Sequence, residues 1–374
     1  MAYVREGLQA YVRENFTKRL YNPFARFNPM LSYLGLSSVE KLTKLGRPNT
    51  PAVFGDLGKL GRGEIRRLGH SSAIFWNFQK YEPNDGSTVA HRASTPTAST
   101  FGEDNAGQLE LRWTHYMEPM KVGKSSLDDA TGPSAIMSIM DNASAITFER
   151  LLKRVNEDML NGTLTQAQQN EQRWSSLLGL DHVLTSGNYY GRVNRGTESD
   201  LDPLIIDATT ALDTTAISLD LIDVINHGNS TVTGRAAKSP DGQGCNLHIV
   251  HPRLWQTLRE EAQGLYSIDV PKIPGNAAVG SQRPAIRYGD NWITYDDSLK
   301  IAGAATTTTM FSTRIESWVL EVDPRYNFVP QPFVLKSEVE EGGEFVEWSQ
   351  VHAKLRLSCR EPWLNCKTTG LTPS

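Results

Sequence analysis

Hydrophobic and polar positions change their period several times along the chain, and each change marks a different element. Ser72–Tyr81 is rich in aromatic residues and Gln108–Tyr116 alternates apolar with polar, so both are expected as strands. Between them, Glu82–Gly107 is dominated by Asn, Asp, Ser, Thr, Pro and Gly. A structureless stretch of that length is uncommon in a compact domain unless it has a purpose. Two extended runs joined by a long polar tip predict a protruding hairpin. A protrusion cannot bury its own faces, so a neighbouring molecule is the expected cover.

The period then becomes helical. Thr131-Gly-Pro133-Ser offers a helix start with Pro133 at the first position. Ile136, Met140, Ala143, Ile146 or Thr147, Leu151, Val155 and Met159 follow at helical spacing, with Asp141, Glu149, Lys153, Arg154 and Glu157 mostly elsewhere. Asn161-Gly162 supplies the stop. The result is one helix of about eight turns, long against the three-turn average. An ordinary core helix gives the same pattern, so length alone does not speak of function.

Beyond Trp174 the pattern is mixed. Thr215–Asn226 reads as a helix, Asn246–His251 as a buried strand, and Pro252–Glu261 as the start of another helix. Trp292–Tyr295 and Trp318–Val322 are strand-like, and Asn327–Arg360 is alternating and β-rich. The alternation between Trp174 and Trp318 implies an α/β module. The stretch before Gly63 differs from all of this. A short amphipathic start (Tyr3, Leu8, Tyr11, Val12, Phe16) gives way to breakers at Asn22-Pro23 and Asn28-Pro29. Such a segment can hardly build a core of its own, and reads as an arm lying on something else.

Charge sharpens that reading. Met1 to Arg67 holds twelve Lys and Arg against five Asp and Glu, a net of +7, which leaves −11 for the rest of a chain whose total is −4. A basic tail on an otherwise acidic protein has this signature, although a solvated basic face also fits. With 374 residues and near-average composition the chain is neither disordered nor fibrous. Cys245, Cys359 and Cys366 are odd in number and widely spread, which is no disulfide framework. No apolar segment resembles a secretory signal or a membrane span, so a soluble cytosolic protein is expected.

The motifs that carry chemistry fail one by one. Val122-Gly-Lys-Ser125 resembles the end of a phosphate loop, but Glu118 stands where its first glycine belongs and would repel phosphate. Gly55, Gly58, Gly61 and Gly63 do not join a clear strand to a helix and read as a flexible joint. His248 and His251, three apart on a strand, would point to opposite faces and cannot share a metal ion. The cysteines lack zinc spacing. Asp296-Asp297 and Glu338, Glu340 and Glu341 offer carboxylates, but adjacency does not make them converge on a reacting group. Asn161-Gly-Thr163 and Asn229-Ser-Thr231 match the glycosylation pattern idly, and there is no Gly-x-Ser-x-Gly elbow. No catalytic, cofactor-binding or metal residue is nominated, and no enzyme is expected.

Three segments resemble the major capsid proteins of tailed bacteriophages. Trp174-Ser-Ser-Leu-Leu-Gly-Leu-Asp-His-Val-Leu184, then Tyr189-Tyr-Gly-Arg-Val-Asn-Arg195, is similar to the family's Gly-Leu and Tyr-Gly-Gly-Ile-x-Arg segment after its spine helix. Arg192 departs from it, standing where a second glycine is common. Ile249–Leu258 resembles a strand and helix of the central domain, and Ile286–Asp297 a later strand pair. Each is weakly specific, and their order carries the argument.

The resemblance implies an α+β shell fold, shared with encapsulins and herpesvirus capsid floors. It would comprise an N-terminal arm (1–63), an extended β-hairpin loop (64–124), a peripheral domain (125–187) with a spine helix near 133–160, an α/β axial domain (188–317) and terminal peripheral strands (318–374). It implies a structural coat protein forming pentamers and hexamers of an icosahedral or prolate head around double-stranded DNA. Assembly would take place in the bacterial host's cytoplasm, with a separate scaffold protein and a portal as partners and no membrane or cofactor. Arg5, Arg13, Lys18 and Arg19 are then the candidate inner-face residues near DNA, and Phe75, Trp76, Trp113 and Tyr116 the candidate inter-subunit residues of the loop. Competing expectations are an encapsulin-like compartment, a tail or decoration protein, and, from another class, an α/β hydrolase or nucleotide enzyme.

Overall fold

The computed structural model describes residues 64–67, 73–79, 106–123, 133–196, 201–214, 216–239, 242–265, 285–289, 291–299, 307–330, 334–337 and 345–372. Strands β1 (Glu64–Arg67), β2 (Ala73–Gln79), β3 (Ala106–Arg112) and β4 (Thr114–Gly123) come first, followed by helices α1 (Pro133–Asn161), α2 (Gln166–Asn170) and α3 (Leu180–Val183). Next are β5 (Tyr189–Tyr190), β6 (Val193–Asn194), β7 (Leu204–Asp207), α4 (Ala208–Ala211), α5 (Leu219–His227), α6 (Arg235–Lys238), β8 (Leu247–Val250) and α7 (Pro252–Leu265). Strands β9 (Ile286–Tyr288), β10 (Asn291–Tyr295), β11 (Thr308–Thr313), β12 (Trp318–Pro330), β13 (Val334–Ser337), β14 (Phe345–Cys359) and β15 (Cys366–Leu371) complete an α+β fold.

The long strand β14 organises the first half of the molecule. One of its edges pairs with β12 and β13, the other with β4, and β1 lies parallel to β12. Its period of two sends Val351, Ala353, Leu355 and Leu357 to one face, where they join the main core. Helix α1 packs on this sheet, chiefly against β4. Among the described side chains its buried positions are Ser144, Thr147, Phe148, Leu151, Leu152, Val155, Asn156, Met159 and Leu160, one stripe at helical spacing. Each large apolar member stabilises by about 1.5–3 kcal/mol relative to exposure, so packing rather than propensity holds so long a helix. Of the two candidates Ile146 and Thr147, Thr147 is buried and Ile146 is exposed. At the end of α1, Gly162 is required by close approach: a Cβ there would lie 2.3 Å from the carbonyl oxygens of Asp158 and Leu177.

The second sheet has six strands in the order β7-β15-β11-β8-β10-β9. All four residues of β8 are buried because both faces are covered. Leu247 and Ile249 enter the main core, while Val250 joins a second core with Ile222 and Ile225 of α5 and Leu254 and Leu258 of α7. The two halves are tied by a polar contact. Asn156 of α1 donates from Nδ2 to both carboxylate oxygens of the buried Asp296, at 3.1 and 3.2 Å, and to Ser298 Oγ at 2.9 Å.

Several expected boundaries move. Gln108–Tyr116 is not one strand: Trp113 breaks it, and its carbonyl accepts from the Trp174 N–H at 3.4 Å while Thr114 bridges to Trp174. The segment 64–124 is therefore not wholly an extended loop, since β1 and β4 belong to the sheet of β14. The terminal segment 318–374 also divides. Its last strand, β15, inserts between β7 and β11 of the six-stranded sheet, because Cys366 and Leu371 bury in the second core. Helix α5 begins at Leu219 rather than Thr215, and α7 runs on to Leu265.

Candidate assembly interface

Strands β2 and β3 form a two-stranded antiparallel ribbon that pairs with no other strand among the described residues. Its base is anchored by β3. Leu109 and Leu111 are buried in the main core, while Glu110, between them, points the other way into a polar cluster. One Glu110 oxygen accepts from Arg112 Nε and Nη2 at 3.0 and 2.9 Å, and the other from Arg192 Nη1 at 2.5 Å. The same two guanidiniums reach the carbonyls that end α2, Arg112 to Glu171 and Arg192 to Asn170.

Arg192 lies in the turn between β5 and β6, which the sequence segment ending at Arg195 builds. Gly191 and Arg192 both have positive φ, 55° and 69°, as a tight hairpin turn of this kind demands. Arg195 is fully buried and donates to the carbonyls of Asn188, Val183 and His182 at 2.8, 2.7 and 2.9 Å, closing the C-terminus of α3.

Above the ribbon's base, the face of the β14 sheet opposite α1 carries a polar stripe. Glu321 and Arg356, Asp323 and Lys354, then His115 and His352 follow in sequence, at 2.5, 2.9 and 3.0 Å. The Arg356 guanidinium lies over the Trp113 ring at 4.3 Å and the Lys354 ammonium at 5.2 Å. His115 has its pKa lowered first by burial and then by the charges of His352 and Lys354, and burial also lowers that of His352. Tyr116 points inward, donating to Asp158 Oδ2 at 2.8 Å. Burial and then the Asp158 charge push its phenol well above the ordinary range.

The candidate residues therefore separate. Trp113 and Tyr116, expected at a subunit contact, are buried within their own chain at 5% and 6% exposure, one against Arg356 and the other against α1. Strand alternation continues through Trp113, but tertiary contacts turn both side chains into their own chain. Phe75 and Trp76 lie in β2 opposite Glu110 and Leu109, with side chains outside the described residues. Arg5, Arg13, Lys18 and Arg19 lie outside them as well, as do Glu338, Glu340 and Glu341. Sequence reasoning missed Glu110, Glu321 and Arg356; the available signal for Glu321 was a lone charge inside the apolar run Trp318–Val322. Among the described residues the exposed large apolar side chains are Met117 on β4, Ile146 on α1 and Ile205 on β7. Among the described residues β4 and β7 are also edge strands.

The groups weighed for chemistry are committed elsewhere. Val122 and Gly123 end a strand paired along β14 rather than a phosphate loop. His248 is buried against Ser312 Oγ at 2.8 Å, with burial lowering its pKa to about 4, and Asp296 is held by Asn156. Burial pushes the Cys359 and Cys366 thiols up to about 12. Among the described residues no cluster of three or more His, Cys, Asp and Glu gathers as a metal site, and no helix is long and apolar enough to cross a membrane.

No family model matches the sequence, and no curated protein matches it either. Solved structures do. The capsid of cyanophage A-1(L) superposes with a TM-score of 0.55 at 12% identity, covering 83% of this chain and 90% of that one. The SrpI encapsulin complex of Synechococcus elongatus gives 0.49 at 10% identity over 83% and 86%, and the capsid of Ralstonia phage GP4 gives 0.43 at 11% over 84% and 88%. The chain is built on the shell fold of a phage capsid subunit.

Proposed function

We propose that the protein is a major capsid protein, a structural coat subunit that assembles with copies of itself into a closed shell. The observation that carries this reading is the β2–β3 ribbon, held at its base while no described strand pairs beside it, on a body with a capsid subunit's fold. A two-stranded ribbon is at best marginally stable alone, so a neighbour is its natural cover. The exposed Met117 and the outer edge of β4, beside which no strand lies among the described residues, are further surface that assembly would bury.

In this reading pentamers and hexamers build an icosahedral or prolate head around packaged double-stranded DNA. The basic stretch holding Arg5, Arg13, Lys18 and Arg19 faces inward and offsets phosphate charge without reading sequence. A separate scaffold protein and a portal complete the head, which assembles in the cytoplasm of a bacterial host and works without catalysis. The test is expression of the full chain with and without its genomic neighbours, followed by sedimentation and negative-stain microscopy. Closed shells or capsomer rings are expected, with nucleic acid inside when the packaging partners are present. A chain that stays monomeric or dimeric under every condition overturns the reading, and shells that enclose protein cargo would replace it with a compartment.

A further inference from the structure

We infer that Glu110, Arg112 and Arg192 form a latch that fixes how the β2–β3 ribbon leaves the body. Three observations converge on this cluster. The first is the backbone of Arg192, whose φ of 69° is a conformation that L side chains with a Cβ rarely adopt and glycine adopts freely. A large side chain held there is doing something that glycine cannot, and its guanidinium bridges Glu110 Oε2 to the Asn170 carbonyl.

The second is the symmetry of the contacts around Glu110. Each of its oxygens takes a guanidinium, one from its own strand and one from the turn, and each guanidinium also holds one of the consecutive carbonyls of Asn170 and Glu171. The side chains of Glu110 and Arg112 are each 16% exposed and that of Arg192 33%, so the carboxylate is sheltered from solvent while the pair to the turn is partly screened. The third is backbone contact at the same point. The Glu110 N–H donates to the Gly191 carbonyl at 3.0 Å, and a Cβ on Gly191 would stand 3.2 Å from Leu109 Cβ. Strand and turn therefore touch through a hydrogen bond, a close approach and one charge pair, while Arg112 steadies Glu110 from within β3.

The consequence for assembly rests on the shell reading: the angle of the ribbon decides where its far end meets a neighbouring subunit, so the latch would set shell geometry. The test separates the two. Amide hydrogen exchange is measured on unassembled full-length wild type, Glu110→Gln, Arg192→Gly, Arg192→Lys and the Glu110→Gln/Arg192→Gly double variant. Glu110→Gln and Arg192→Gly are each expected to speed exchange at residues 109–112 by about tenfold over wild type. The double variant should exchange no faster than either, and Arg192→Lys should recover part of the protection. If Arg192 is only a strained turn residue, Arg192→Gly relieves the backbone, raises the thermal midpoint and leaves exchange unchanged, which overturns the latch. Additive effects of the two substitutions overturn it too. Shell yield by sedimentation is read separately: a wild type that forms no shells refutes the shell reading, while the exchange data still decide the latch.

Discussion

Glu321 and Arg356 sit directly opposite each other on β12 and β14, with Oε2 and Nε 2.5 Å apart and neither side chain exposed. The Arg356 guanidinium also donates to the Leu111 carbonyl at 2.9 Å, so the pair ties the ribbon's own strand to the sheet. Burial lowers the Arg356 pKa, and the Glu321 charge partly restores it. Removing either partner strands a charge in the interior. Glu321→Ala and Arg356→Ala should each lose about 3–5 kcal/mol in urea denaturation, whereas Glu321→Leu combined with Arg356→Met should recover most of it. Single losses below about 1 kcal/mol would show that the pair is solvated in solution.

Tyr190 closes a second long-range contact. Its hydroxyl donates to the Cys359 carbonyl at 3.0 Å and accepts from the Cys359 N–H at 2.8 Å, fastening the turn after α3 to the end of β14. Tyr190→Phe keeps the ring and orphans both buried backbone groups. A loss of about 1–3 kcal/mol is expected, with faster exchange of the Cys359 amide. An unchanged amide would mean that water replaces the hydroxyl.

How much of this was legible depends on the range of the cause. Helix α1 could be read because its period of 3.6 persists over many turns. The choice between Ile146 and Thr147 could not, because it depends on which side β4 occupies. The break at Trp113 is silent in an alternating run, being set by Trp174, which is 61 residues later. Strand β15 (CKTTGL) is short and polar, and gains its place only between β7 and β11. The Glu321–Arg356 pair needs the register of β12 on β14, which shifts after Val322. Arg192 was visible as a departure from a glycine, but its partner Glu110 lies 82 positions away.

Gly162 and Gly179 provide a test of close packing at the end of α1. The Gly179 N–H donates to the Gly162 carbonyl at 2.9 Å, and a Cβ on Gly179 would lie 2.3 Å from the Asp158 carbonyl oxygen. The obstacles are backbone, which cannot rotate away. Gly162→Ala and Gly179→Ala should each lower the thermal midpoint by several degrees, corresponding to about 1–3 kcal/mol of overpacking. A neutral result at both would mean that α1 ends differently in solution.

The three cysteines predict chemical silence. Cys245, Cys359 and Cys366 are buried free thiols, with burial raising each pKa, to about 12 for the latter two. A thiolate is needed for attack on a thiol reagent. Native protein at pH 8 should therefore leave the reagent unconsumed for hours, and denatured protein should consume three equivalents at once. Rapid reaction of the native protein would show that one of the cores opens locally.

Acid should loosen the fold through its histidines. His248, His182, His115 and His352 all have pKa values below the ordinary 6.5, each with burial as the largest cause. The folded chain thus resists protonation that the unfolded chain accepts. The stability these residues contribute is fully present above pH 6.5 and is lost as pH falls towards their folded values, about 4 for His248. Denaturation midpoints should fall steadily between about pH 6.5 and 4. His248→Asn should flatten that dependence by up to about 1.4 kcal/mol per pH unit, whatever it does to stability at neutral pH. His115→Gln and His352→Gln should each flatten it less, since that pair is nearer to solvent. A profile whose slope is the same in wild type and in His248→Asn would show that the imidazole is reached by protons in the native state.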